Sequence, residues 1–243
     1  MRMFIDTFQN MGGQFHILEN RVPLLHQFEY FEYARKLRKR KQKKWTDNDF
    51  IQFKEKLESG EISKEEKKKI LVMLAMSAEV RAFRLLELYL KHPDEELVNW
   101  ASMALIESRI AIESELSGVN KVYISTGLGG KDGKLRFYVL IASSRGVTFE
   151  EYQRKVIETE FNYLLPQNDC DIDRLTISDN YIELVFLIPF TSDIRKILEK
   201  VVSECNFYGD FLSNTLTVTN VKEFSQDEVN QVITRQKKGL TPF

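Results

Sequence analysis

The stretch Leu135-Arg136-Phe137-Tyr138-Val139-Leu140-Ile141-Ala142 decides how this chain is read, because Leu135, Phe137, Val139 and Ile141 fall at every second position. That period places four apolar side chains on one face of an extended strand. Val122, Ile124 and Thr126 predict a shorter strand before it, with Asp132-Gly133 between the two as a hairpin-turn signal. After it, Thr148-Phe149-Glu150-Glu151 opens a helix whose Tyr152, Val156, Ile157, Phe161 and Leu164 form an apolar stripe. Strands follow at about residues 172–177 and 181–188, separated by Ser178-Asp179-Asn180. A helix from near Ser192 then buries Ile194, Ile197, Leu198, Val201, Val202 and Cys205, and Thr215 to Thr219 returns as a strand.

With the strand at 122–126 set aside as an added edge, the order over residues 121–224 is βαββαβ. This order resembles the ferredoxin-like fold, which implies a four-stranded antiparallel sheet with both helices on one side. The strand 181–188 is apolar at both parities, so the opposite side of the sheet is expected to be buried too: against the helical part, a second copy of the protein, or a ligand. Residues 225–243 are left as a C-terminal helix or tail.

Working back towards the amino terminus, residues 1–117 read as helical, with Ser117-Gly118-Val119-Asn120 as the hinge. Phe4, Phe8, Met11 and Phe15 recur at helical spacing, interrupted by Gly12-Gly13. A helix is expected over about 22–44, another over 47–57, and a third over 64–76 opened by Ser63 with Glu66 three places on. The apolar run from Val80 to Leu90 predicts a helix at the centre of the helical layer. Leu86-x-x-Tyr89-Leu90-x-x-Pro93-Asp94-x-x-Leu97, followed by Trp100-Ala101-x-x-Ala104-Leu105, resembles the helix-turn-helix of HEAT repeats over residues 80–116. Val98 stands where that family commonly carries an arginine. The fold class is therefore α+β: an N-terminal α-helical, short HEAT-like domain and a C-terminal ferredoxin-like domain with an extra N-terminal edge strand.

The 243 residues carry 35 Lys and Arg against 36 Asp and Glu, so no field of the whole protein selects a charged partner. The local distribution is uneven. Residues 1–69 hold 16 basic and 11 acidic groups, and residues 70–117 hold 4 and 8. Eight of the ten positions from Arg35 to Lys44 are cationic: Arg35, Lys36, Arg38, Lys39, Arg40, Lys41, Lys43 and Lys44. Such a run can meet phosphates on RNA or DNA, or, as a lesser alternative, an anionic membrane surface. It can equally be a solvated helix end offsetting its own carbonyls, or an intramolecular partner for the acidic stretch 70–117.

Catalytic signatures are missing from the sequence. In Gly127-Leu128-Gly129-Gly130-Lys131-Asp132-Gly133-Lys134 a phosphate loop would need glycine at Leu128 and a hydroxyl residue at Leu135. A dinucleotide fingerprint would need glycine at Asp132. His16, His26 and His92 are scattered, so neither a metal nor a cofactor is expected. Tyr181 to Ile188 lacks the basic and aromatic pattern of an RNA-recognition module. Cys205 reads as a buried inert thiol, and Cys170, in a polar loop beside Asp169 and Asp171, as a poor nucleophile. Two cysteines, no secretory leader and no long apolar segment predict a cytoplasmic protein. The expected role is non-enzymatic: a scaffold or adaptor that binds a protein partner or itself. A nucleic-acid- or ribosome-associated factor acting through residues 35–44 is the alternative.

Overall fold

The computed structural model describes residues 15–38, 45–119 and 121–237. The chain divides into two compact units, Met1–Thr126 and Gly127–Phe243. The first contains β1 (Phe15–Ile17), α1 (Leu24–Arg38), α2 (Asp47–Glu58), α3 (Lys64–Met76) and α4 (Val80–Tyr89), then a 3₁₀ turn (Glu95–Leu97), α5 (Val98–Ser117) and β2 (Val122–Ile124). Caps set several of these boundaries. The Thr46 hydroxyl accepts the Asp49 amide while the Asp49 carboxylate accepts the Thr46 amide at 2.7 Å, and the Ser63 hydroxyl accepts the Glu66 amide at 3.2 Å. The core is centred on α3 and α5, where Leu71, Val72, Leu74, Ala75, Ala101, Met103 and Ala104 are fully buried. Val80 to Leu90 is not the central helix that its composition suggests, because Val80 and Leu88 face solvent. Phe4, Phe8 and Met11 lie outside the described residues.

The strand expected as an added sheet edge has a different partner. Val122–Ile124 pairs in parallel with Phe15–Ile17 inside the first unit, in the register His16 to Tyr123. The division of the chain accordingly falls after Thr126 rather than in the hinge at 117–120.

The second unit contains β3 (Gly130–Lys131), β4 (Lys134–Ser143), α6 (Glu151–Gln167), β5 (Asp171–Ile177) and β6 (Tyr181–Pro189), then α7 (Ile194–Phe207), β7 (Leu212–Thr219) and α8 (Gln226–Lys237). Its strands run β7-β4-β6-β5, every neighbouring pair antiparallel, which is the ferredoxin-like order. The extra edge strand is β3, joined to β4 by Asp132 and Gly133. Both have positive φ, as a two-residue hairpin twisted to match its strands requires.

Strand parity then assigns the two faces of the sheet. Val139, Ile141, Leu184 and Phe186 pack against Ile157 and Phe161 of α6 and Leu198 and Val201 of α7. Tyr138, Leu140, Ala142 and Val185 occupy the other face and are covered by Phe224 and by Val229 and Ile233 of α8. That flank was expected to need the helical part, a second copy or a ligand. It is closed instead by Phe224 and by the segment expected as a C-terminal helix or tail, which forms α8. Cys170 also departs from the sequence reading: it is buried at the start of β5, and burial pushes its thiol up to about 11. Burial likewise pushes the Cys205 thiol up to about 12.

Candidate functional site

Of the eight cations singled out in the sequence, Arg35, Lys36 and Arg38 form the last turn of α1, while Lys39, Arg40, Lys41, Lys43 and Lys44 lie outside the described residues. Two of the three are engaged within the first unit. Arg35 pairs with Glu32 one turn back at 2.8 Å. Arg38 reaches Glu107 of α5, in the acidic stretch 70–117. The Glu107 carboxylate is buried and also accepts the Tyr30 hydroxyl, and this burial beside an anion drives the Tyr30 phenol well above its ordinary pKa. The structure therefore holds Arg38, itself exposed, as the counter-ion of an interior carboxylate, and removing it would leave that buried carboxylate without this cation.

A second feature, at one end of the second unit's sheet, has no signature in the sequence. Strand β4 ends at Ser143, where the pairing with β7 shifts register after Ile141. Such irregularities turn a side chain out of the ladder. The Ser143 amide still donates to the Asn180 carbonyl at 2.8 Å, but its hydroxyl is buried and has no hydrogen-bond partner among the described residues. Ser143 is 7% exposed and lies in the wall of a cavity of about 300 Å³.

Two loops shape that cavity. From β4 the chain turns through Ser144, Arg145 and Gly146, and Glu150 and Gln153 close a reciprocal cap on the start of α6. From α7 it passes through Gly209 and Asp210 into Phe211. The loops are fastened together: the Ser144 amide donates to the Phe211 carbonyl at 2.9 Å, and the Ser144 hydroxyl donates to the Asp210 carbonyl at 2.6 Å. Asn206 holds the second loop through both its amide atoms, to the carbonyl and amide of Leu212 at 2.9 and 2.8 Å. Phe149 and Phe211, in edge-to-face contact at 6.3 Å, supply a buried apolar wall.

The surroundings of this cavity are aromatic and acidic. Tyr152 lines it at 49% exposure. Phe207 and Tyr208, which end α7 immediately before Gly209, are 84% and 54% exposed and meet edge to face at 5.7 Å. The charged residues of the lining are Glu150 and Asp210 against Arg145, with Glu151 next in the chain. Loops tied to one another, a partly apolar wall and a lining with two carboxylates against one arginine leave room for a small polar or cationic group.

No protein-family model and no curated protein sequence matches the chain. Among solved structures, a transposase from Deinococcus radiodurans, described as putative, is similar at TM-score 0.34 and 14% identity, over 45% of this chain and 93% of that one. A REP-associated tyrosine transposase bound to a REP hairpin is similar at 0.33 and 9%, over 44% and 69%. The P2 domain of the chemotaxis kinase CheA from Thermotoga maritima, in complex with CheY, is similar at 0.25 and 16%, over 37% and 100%. Likeness of this size carries no functional argument.

Proposed function

We propose that the chain is a protein-interaction module, a scaffold or adaptor, that docks a partner protein through the aromatic end of its second unit. The observation that carries this reading is the pair Phe207 and Tyr208, the first among the most exposed large apolar side chains described, held at a helix end beside a preformed cavity. Exposed aromatic side chains cost free energy in water and are the residue types that anchor interfaces. Within this reading, α4 and α5 are taken as a HEAT-like pair, supported by the close packing of Leu86, Trp100, Ala101 and Ala104. The compartment is taken as the cytoplasm, supported by two buried free thiols.

Affinity capture with the full chain, compared with a Phe207→Ser/Tyr208→Ser variant and followed by reconstitution with the purified partner, tests the proposal. The expected result is a stable partner whose affinity falls by at least about tenfold in the variant, the scale of a hot-spot loss. Unchanged partner binding by a folded variant would overturn it. A low-salt mobility shift with RNA that disappears when Lys39, Arg40, Lys41, Lys43 and Lys44 are neutralised would replace it with the nucleic-acid reading.

A further inference from the structure

The two faces of the second unit's sheet are covered unequally. On one, α6 buries Ile157, Phe161, Leu164 and Leu165, and α7 buries Leu198, Val201, Val202 and Cys205. On the other, α8 buries only Val229 and Ile233, with Val232 partly covered, and among the described residues the apolar contacts beneath it include none from another helix. We propose that α8 is a displaceable cover, and that the flank beneath it is a second docking surface, separate from the aromatic end. It receives an amphipathic helix of a partner protein that carries branched aliphatic side chains four residues apart. That chemistry is read from the occupant already seated there, a polar helix anchored through Val229, Val232 and Ile233.

The connection leading to α8 is fastened independently of the helix. Glu223 pairs with Arg174 of β5 at 2.6 Å, and the Phe224 ring lies 5.1 Å from that of Tyr138. Past Ser225, the described side-chain hydrogen bonds from α8 to the sheet join Gln226 and Tyr181, at 3.2 and 3.4 Å on the surface. The Lys222–Glu228 pair is also on the surface, where ion pairs add little. Helix α8 can therefore swing away at Ser225 while Glu223 and Phe224 stay on the sheet. Its departure strands no buried polar side chain on the strands, because the Tyr138 hydroxyl donates to Glu183 of β6 at 2.9 Å. What it uncovers is the apolar strip of Tyr138, Leu140, Ala142 and Val185. An element held by so few buried side chains opens before the body it covers.

Hydrogen–deuterium exchange of the full chain tests the cover, and a peptide of residues 224–237, labelled with fluorescein, probes the flank. The amides of α8 should exchange at least about a hundredfold faster than those of β4 and β6, with α6 and α7 following the sheet. The peptide should bind the full chain saturably and bind the Ile233→Ala chain, whose own cover is weakened, about tenfold more tightly. Val229→Asp with Ile233→Asp in the peptide should abolish binding to both chains. Protection of α8 equal to that of β4 would overturn the proposal on the unaltered chain, whether or not the Ile233→Ala chain folds. Absence of peptide binding, or binding that survives the two aspartates, would overturn the docking surface. A dimer held by exchange of α8 between copies, seen by light scattering and lost with Val229→Asp, would put a second copy in place of the partner and overturn the assignment.

Discussion

A Cβ at position 127 would lie inside the van der Waals envelope of the Val221 carbonyl, so the backbone there tolerates only glycine. Gly127→Ala must move the backbone around Val221, and we expect a loss of about 1 to 3 kcal/mol, read as a lower urea midpoint for the second unit. The sequence showed this glycine only as one of a cluster, since what makes it necessary lies 94 positions away. Asp94 is a second case. Hydrogen bonding from the buried Lys67 ammonium at 2.8 Å, then from the Tyr89 hydroxyl at 2.6 Å, holds its carboxyl below the ordinary carboxylate pKa. A depressed carboxyl contributes stability above its unfolded pKa and loses it as pH falls through the folded one. The stability gap between the native chain and Asp94→Asn should therefore be largest above about pH 4 and close towards lower pH. Because the Asp94 side chain is partly exposed, screening limits the gap to roughly 1 kcal/mol. Denaturant titrations at a series of pH values check this.

Helix α8 shows how an element can be legible while its role is not. Gln226 to Lys237 was readable as a helix or tail, but Val229 and Ile233 bury themselves against Tyr138, Leu140 and Val185 of the sheet. Replacing both, Val229→Ala with Ile233→Ala, should cost at least ~3 kcal/mol and expose an apolar flank, seen as a lower unfolding midpoint and increased binding of a hydrophobic dye. The strand Tyr181 to Pro189 announced through its double-sided apolarity that something covers both faces, and that inference stands. Composition could not name the cover. An amphipathic helix carries no address for the face it will occupy, and the segment that fits lies across a connection of a few residues from β7. The short strand Val122–Ile124 failed for the same reason: three alternating residues specify an extended backbone but no partner, and β1 is the partner it has. At the cavity, the only local sign was a Ser-Ser-Arg-Gly turn after a strand, which is common.

At the level of the molecule, each unit has its own apolar core, so each is expected to fold as a separate fragment when cut in the right place. A fragment of residues 1–126 keeps β2, with Tyr123 packed on the first core, and should unfold cooperatively. A fragment ending at 118, where the sequence suggested the hinge, loses that strand and should show a clearly lower urea midpoint; equal midpoints would move the boundary back. By itself the sequence determined the class of the fold, since the change from helical spacing to period two is written in consecutive residues and needs only local geometry to be read. It also determined the βαββαβ order and the turn at Asp132-Gly133. Tertiary structure alone decided which segments meet: β2 with β1, α8 with the sheet, Arg38 with Glu107, and the two loops that enclose Ser143. The physical reason is that periodicity reports which side of an element seeks burial, whereas the identity of the neighbour depends on chain connection and complementary shape over distances that no local pattern records.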